Sequence, residues 1–220
     1  IGRIPREWRV VKLRDIALDM YYGLTAKAVS DESGLKMLRT TDIKDYRVDW
    51  GTLPYAVITE KYGKDINKYL LKKCDLIISR AGTAGVAVLV PRDFDNIIFG
   101  SYLIKVKLNE KLVNPLFVYY YCQSELYWSQ IRRGQAGSTL KNINLEILEN
   151  ILVPLPHLDE QKGIVEILST IDNTIEIIDR LVEKLERFKK ALMNVLLTGR
   201  VRVREENGKL VFYRETELKD

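Results

Sequence analysis

Over the first 150 or so residues the apolar positions come in short runs bounded by glycine, proline and aspartate; beyond residue 157 they settle into one long helical period. The short runs predict strands over 75–79, with Leu76-Ile77-Ile78 at the centre, over 86–90, over 101–108, where Tyr102, Ile104, Val106 and Leu108 alternate, and over 151–153. Two helices interrupt them. Asn114-Pro115 offers an N-cap followed by proline at the first helical position and predicts a helix to about Ile131, while Asn144 is expected to cap a short one through Leu148. The first segment is therefore an α+β domain rich in strands.

Past Pro154-Leu-Pro-His-Leu158 the chain meets no further proline, and only Gly163 before Gly199, so Asp159 is expected to cap a long helix. Ile164, Leu168, Ile171, Ile175, Ile178, Leu181, Leu185, Phe188, Leu192 and Val195 follow at steps of 4, 3, 4, 3, 3, 4, 3, 4 and 3, a heptad seam with one short step. From Asp159 to about Leu197 such a helix is on the order of 58 Å long at 1.5 Å per residue, and Thr198-Gly199 ends it. A seam can simply pack on its own domain. This one is long enough to overhang a small domain, and the overhang needs a partner helix. Glu183 with Arg187 and Glu186 with Lys190 mark the solvated face. The tail has two strand-like arms around Asn207-Gly208, the preferred type I′ turn, and predicts a terminal hairpin. The expected divisions are a strand-rich domain over 1–156, the long helix over 157–199, and a hairpin or linker over 200–220.

With 46% hydrophobic and 30% charged residues, a chain of 220 can bury one good core with an appended element. Its longest aromatic-aliphatic run, 116–122, is far too short to span a bilayer, so no membrane is expected as a partner. The opening Ile1-Gly-Arg-Ile-Pro-Arg-Glu-Trp8 has neither the apolar core of a signal peptide nor an initiating Met; a start inside a longer chain fits it, and a secreted form is not expected. Cys74 and Cys122, 48 positions apart and without CxxC spacing, cannot assemble a conventional zinc site with the single His157. Both are expected to be reduced core thiols of a cytoplasmic protein.

The net charge of +5 is modest but unevenly spread: residues 1–158 hold 23 Lys and Arg against 17 Asp and Glu, and residues 159–220 hold 12 against 13. The basic excess belongs to the strand-rich segment. It suits a polyanion such as nucleic acid, because neutralising phosphates releases counterions, although plain enzymes can be equally basic.

Motifs for chemistry are missing. Neither GxxxxGK[ST] nor GxGxxG occurs, and Gly82-Thr-Ala-Gly85 lacks the lysine and helix of a phosphate loop. No Asn- or Asp-Pro-Pro-aromatic segment is present to hold a base amino group, and Glu160-Gln-Lys162 lacks the upstream Pro-Asp of a common nuclease site. No metal or catalytic set is expected. Three loops instead gather basic and hydroxyl residues with glycine: Arg39-Thr-Thr41-Asp42, Ser79-Arg80-Ala-Gly-Thr83-Ala-Gly85, and Arg132-Arg133-Gly-Gln-Ala-Gly-Ser138-Thr-Leu-Lys141-Asn142. Arg and Lys supply charge, hydroxyls and backbone N–H groups supply positioning bonds, and Arg, Asn and Gln can read base edges. Each loop alone is also compatible with an ordinary solvated turn. Arg39, Thr41, Arg80, Thr83, Arg132, Arg133, Ser138, Lys141 and Asn142 are the candidate DNA contacts.

Several segments, in order, resemble the specificity subunit of type I restriction-modification systems, and the likeness covers nearly the whole chain. Ile4-Pro-Arg-Glu-Trp8 with Val11-Lys-Leu13 resembles the family's opening, Asp75-Leu-Ile-Ile-Ser-Arg-Ala-Gly-Thr-Ala-Gly85 its central strand and glycine loop, and Gly137-Ser138 with Leu140-Lys141 a loop near the domain's end. Most specific is Val153-Pro-Leu-Pro-His-Leu-Asp-Glu-Gln161 leading into the helix, with Ile164, Leu168 and Ile171-Asp172, then Lys189-Lys-Ala-Leu-Met193 and Leu197-Thr-Gly199. His157 departs from the family, which more often has a second consecutive proline there.

The resemblance implies a DNA target recognition domain followed by a conserved coiled-coil-forming helix, usually duplicated so that two domains read a bipartite double-stranded site while the helices pair antiparallel. Only one copy is present here, and Phe212-Tyr-Arg-Glu-Thr-Glu-Leu218 resembles the link into a second. A natural half-subunit and a piece of a two-domain subunit both remain open. The resemblance also implies no cofactor on this chain: methyltransferase subunits would carry S-adenosylmethionine, and restriction subunits Mg and ATP. Two other classes stay in view, a stand-alone or fused restriction nuclease with an unrecognised active site, and a coiled-coil scaffold whose basic domain binds protein.

Overall fold

The apolar run Leu76–Ser79 forms β8, the strand whose four side chains are all buried. It lies inside an antiparallel sheet ordered β2 (Ala17–Tyr22), β11 (Leu103–Leu108), β8 and β9 (Ala87–Leu89). Both faces of that sheet are covered, which is why the run is continuous rather than alternating. Leu76, Ile78, Ile104 and Val106 pack with Phe117, Val118 and Tyr127 in one core. Ile77, Val88 and Leu103 pack with Leu38, Phe94 and Phe99 in the other. The computed structural model describes residues 4–29, 34–57, 65–135 and 142–214, and the chain divides into two units, 1–166 and 167–220.

A second four-stranded sheet is ordered β10 (Ile97–Phe99), β4 (Leu35–Leu38), β7 (Tyr55–Val57) and β3 (Lys27–Val29), with β10 and β4 parallel and the other pairs antiparallel. Leu24, Met37, Ala56 and Ile98 make a third core beside it. Gly23 lets the chain pass from one sheet to the other. A Cβ there would sit 2.4 Å from the carbonyl oxygens of Phe99 and Gly100, closer than any side chain tolerates. Two ribbons complete the first unit. β1 (Arg9–Lys12) pairs antiparallel with β12 (Leu152–Leu155), and β5 (Ile43–Lys44) with β6 (Arg47–Val48) through Asp45 and Tyr46, both at positive φ.

β11 carries a buried charge. Lys105 Nζ donates to Asp75 Oδ2 at 2.8 Å and to the Leu70 carbonyl at 3.0 Å, with both charged side chains only 5% exposed. Tyr21 and Phe99 present their rings to the same ammonium at 5.6 and 5.5 Å. The next outward residue on that face, Lys107, is exposed.

The short helices are α1 (Ile66–Tyr69), α2 (Pro115–Tyr121), α3 (Glu125–Gly134) and α4 (Leu145–Glu149). The single helix expected from Pro115 to about Ile131 is thus two. Ser124 separates them: its hydroxyl donates to the Tyr121 carbonyl at 2.7 Å and accepts from the Tyr127 N–H at 3.3 Å, bonds that compete with a continuous ladder and cap α3. Asn114 and Asn144 cap α2 and α4 as their positions predict, accepting from Leu116 N–H and Ile147 N–H at 2.9 Å each.

The long helix α5 (Leu158–Leu196) has 39 residues. Asp159, expected as its cap, stands inside the first turn, where its charge still favours the positive end of the helix dipole. Within the first unit Gln161 is fully buried, accepting from Asn114 N–H at 2.8 Å and donating to the Pro156 carbonyl at 2.9 Å. Ile164 and Val165 pack against the first core. In the second unit the helix ends where Gly199, at φ +73°, turns the chain, and Val201 N–H closes on the Val195 carbonyl at 3.0 Å. β13 (Arg202–Glu206) and β14 (Lys209–Tyr213) form the hairpin, with Asn207 and Gly208 both at positive φ as a type I′ turn requires.

Of the two cysteines expected in the core, Cys122 is there and Cys74 is half-exposed, held in a turn at φ +67°. Burial pushes both thiols above their ordinary pKa, so both stay protonated at neutral pH.

Candidate nucleic-acid interface

Where β8 ends, the chain turns through a glycine loop whose form is fixed by main-chain bonds. Gly85 N–H returns to the Ser79 carbonyl at 2.8 Å, and the Ser79 hydroxyl donates to the Ala81 carbonyl at 2.9 Å. Gly85 sits at φ +102°, where the buried Tyr127 hydroxyl reaches its carbonyl at 2.9 Å. A Cβ there would come within 2.9 Å of the Trp128 ring, itself tied by its indole N–H to the Tyr46 hydroxyl at 3.0 Å. Gly85→Ala is therefore expected to lower the unfolding free energy by about 2 kcal/mol, combining backbone strain and contact. Urea titration checks this, and a change below about 0.5 kcal/mol would show that the loop relaxes freely.

Arg80 opens that loop. Its N–H donates to the Tyr102 carbonyl at 2.9 Å and its own carbonyl accepts from Ile143 N–H at 2.8 Å. The guanidinium lies 4.6 Å over the Tyr22 ring, whose hydroxyl accepts from Leu145 N–H at 3.1 Å. Arg80 lines a cleft of about 690 Å³ with Arg39, Thr40 and Thr41 from the turn after β4, Thr25, Ser101 and Tyr102. Arg39 is held flat by Asp42, which accepts from its Nε at 3.0 Å and from its terminal nitrogen at 2.7 Å; these bonds raise the guanidinium pKa further.

Three of the nine candidate DNA contacts, Arg39, Thr41 and Arg80, thus meet in one cleft, although 41 positions separate the two arginines. Thr83 is exposed on the adjoining loop and Asn142 is exposed beside Ile143, the residue bonded to Arg80. Arg132 and Arg133 stand elsewhere, on the exposed face of the last turns of α3. Arg132 pairs with Glu125, while Arg133 lines a separate depression of about 620 Å³ with Asn144, Glu146 and Asn150. Ser138 and Lys141 lie outside the described residues. The sequence reading missed Thr25, Thr40, Ser101 and Tyr102. Tyr102 belonged to the alternation with Ile104, Val106 and Leu108, but the strand begins only at Leu103 and leaves Tyr102 63% exposed at the cleft.

The seam of α5 forms the other candidate surface. Ile164 packs on the first core and Leu168 is half-buried, but Ile171, Ile175, Ile178, Leu181, Leu185 and Phe188 are 43 to 61% exposed. Leu192 and Val195 are half-buried, and Leu192 lines an apolar groove of about 550 Å³ with Val182, Leu185, Phe188, Met193 and Leu196. Contiguous apolar surface on this scale marks an interaction face.

Residues 5–187 match the family described as the type I restriction modification DNA specificity domain. The chain belongs to this family. Among similar specificity-domain proteins, the type I restriction enzyme MjaVIII specificity subunit of Methanocaldococcus jannaschii is 33% identical over 219 residues, an alignment covering 94% of this chain and 49% of that one. The EcoKI specificity subunit of Escherichia coli is 24% identical over 214 residues, covering 91% and 44%. The fold is that of the HsdS subunit from Thermoanaerobacter tengcongensis, with a TM-score of 0.59, 19% identity and coverage of 91% of this chain and 51% of that one. It is equally that of the type I system S subunit from M. genitalium, at 0.58, 18%, 87% and 46%. The chain spans about half the length of the curated relatives it matches. Among the described residues no group of three His, Cys, Asp or Glu could hold a metal ion, and no helix is long and apolar enough to cross a membrane.

Proposed function

We propose that this chain is a DNA-recognition unit of a type I restriction-modification complex, reading one half of a bipartite target and bringing adenine-methyltransferase subunits, and restriction subunits where they exist, to it. The exposed α5 seam carries the reading, because a helix with six exposed seam residues in a specificity-domain protein calls for a second helix. Antiparallel pairing with a copy of itself suits its spacing. Reflected about the point midway between Ile178 and Leu181, Ile164 falls on Val195, Ile171 on Phe188 and Ile178 on Leu181. The paired helices would then act as a ruler between half-sites, with the two-fold symmetry of the pair matched by an inverted repeat. S-adenosylmethionine chemistry and ATP-driven steps would belong to the partner subunits, and this chain would act in the cytoplasm.

Methylation mapping of DNA from cells carrying this gene with its neighbouring subunits is the test. The expected result is methylated adenine within a bipartite site. Deleting one heptad between Ile171 and Leu192 removes about 10 Å of helix and should shorten the half-site spacing by about 3 base pairs. A spacing that stays constant rejects the ruler. DNA cleavage by the purified chain with a divalent metal would favour the nuclease reading instead.

A further inference from the structure

Arg39 and Arg80 in the cleft and Arg132 on α3 differ in how their charge is used. Asp42 neutralises Arg39 through two guanidinium bonds, and Glu125 pairs with Arg132. Arg80 meets no carboxylate among the described residues. It is steadied by the Tyr22 ring, and its buried Nε makes no hydrogen bond. A buried donor left without an acceptor is costly, so this guanidinium is held by its ring contact and not by a bonded partner among the described residues.

The rest of the cleft is rich in the same kind of group. Thr25, Thr40, Thr41 and Ser101 bring hydroxyls, while among the described residues no Asp, Glu, Asn or Gln side chain lines it. Adenine and cytosine present an amino group that wants an acceptor, and guanine offers two acceptors confined to one plane. A phosphodiester offers negative charge and acceptor oxygens in several directions, which suits four hydroxyls around one uncommitted guanidinium. We propose that this cleft holds a phosphate of the DNA backbone with Arg80 as its clamp, so that it contributes affinity and register without reading sequence. The proposal rests on the DNA-recognition function argued above. Arg80 is prepared for this role by its own backbone, bonded on one side to Tyr102 and on the other to Ile143.

The test uses the full chain with its methyltransferase subunits and a duplex carrying the mapped target. Arg80→Gln should bind about tenfold more weakly to the target and to every single-base variant alike, and the slope of log K against log salt should become shallower by about 0.9. Replacing the target phosphates one at a time by neutral methylphosphonate should reveal one linkage that costs the wild type about tenfold and costs Arg80→Gln nothing further. Lost discrimination at a single base pair, equal losses in both proteins at every linkage, or unchanged affinity of Arg80→Gln would each overturn the clamp while wild-type binding upholds the broader function. Failure of the wild-type complex to bind any duplex overturns both. Should Arg80→Gln not fold, Arg80→Lys keeps the charge but loses the fork, and the same linkage should cost it less than it costs the wild type; an equal cost rejects the clamp.

Discussion

Lys105→Ala is expected to lower the unfolding free energy by about 3–5 kcal/mol, because it leaves an ionised carboxylate buried without its counter-charge. Asp75 would retain the Lys72 N–H at 2.8 Å, and the Leu70 carbonyl would lose its bond from the ammonium. The double change Lys105→Met with Asp75→Ala should recover part of that loss, since removing both charges costs less than removing one. Urea unfolding of the two variants checks both statements, and a loss below about 1 kcal/mol in Lys105→Ala would mean that water reaches the site. The effect should extend to DNA binding. Asp75 directly precedes β8, which ends at Ser79 and leads into Arg80, and Lys105 sits on β11, which begins beside Tyr102, so the pair braces both strands that reach the cleft.

The second large effect belongs to the seam. Ile175→Asp together with Leu181→Asp should weaken the proposed self-association about a millionfold or more, since the four carboxylates of a symmetric pair would each have to be dehydrated in an apolar contact at about 2–3 kcal/mol. The two positions are 43 and 54% exposed in the single chain, so the thermal midpoint of the first unit should be unchanged. Sedimentation equilibrium over a range of concentrations measures the association. A double variant that associates as strongly as the wild type places the interface elsewhere, and a wild type that stays monomeric at every concentration rejects pairing with a second copy.

The parts legible in the sequence are those set by local rules. The seam declared α5 through its period, Asn207-Gly208 declared the hairpin, and Asn114-Pro115 and Asn144 declared two caps. The break at Ser124 was hidden because the apolar pattern runs through it, and only the hydroxyl bonds reveal the stop. The second sheet was missed because its strands are three or four residues long, too short for a period to emerge, and one of its pairings is parallel. Lys105 and Lys107 look alike in sequence, both on the polar side of an alternation. Only the layer over that face decides that one is buried and the other is not.

The cleft was half legible for a related reason. Glycine, hydroxyls and arginine advertised the loops around Arg39 and Arg80, but nothing local says that they converge, nor that Asp42 occupies one of the two guanidinium groups. Arg132 and Arg133, alike in composition, stand outside this cleft on α3.

The strand by which the chain enters the first unit is also the hydrogen-bonded partner of the strand by which it leaves. Arg9 lies opposite Leu155 and Lys12 opposite Leu152, and Trp8 donates its indole N–H to Glu160 on the first turn of α5 at 3.1 Å. Entrance and exit are thus side by side, like the two ends of a closed loop of rope. A different strand-rich unit that brings its own ends equally close could be grafted at this neck without altering the length or register of the helix beyond it. Exchange of the first unit as a cassette, with α5 left unchanged, is the engineering freedom that this one two-stranded ribbon confers.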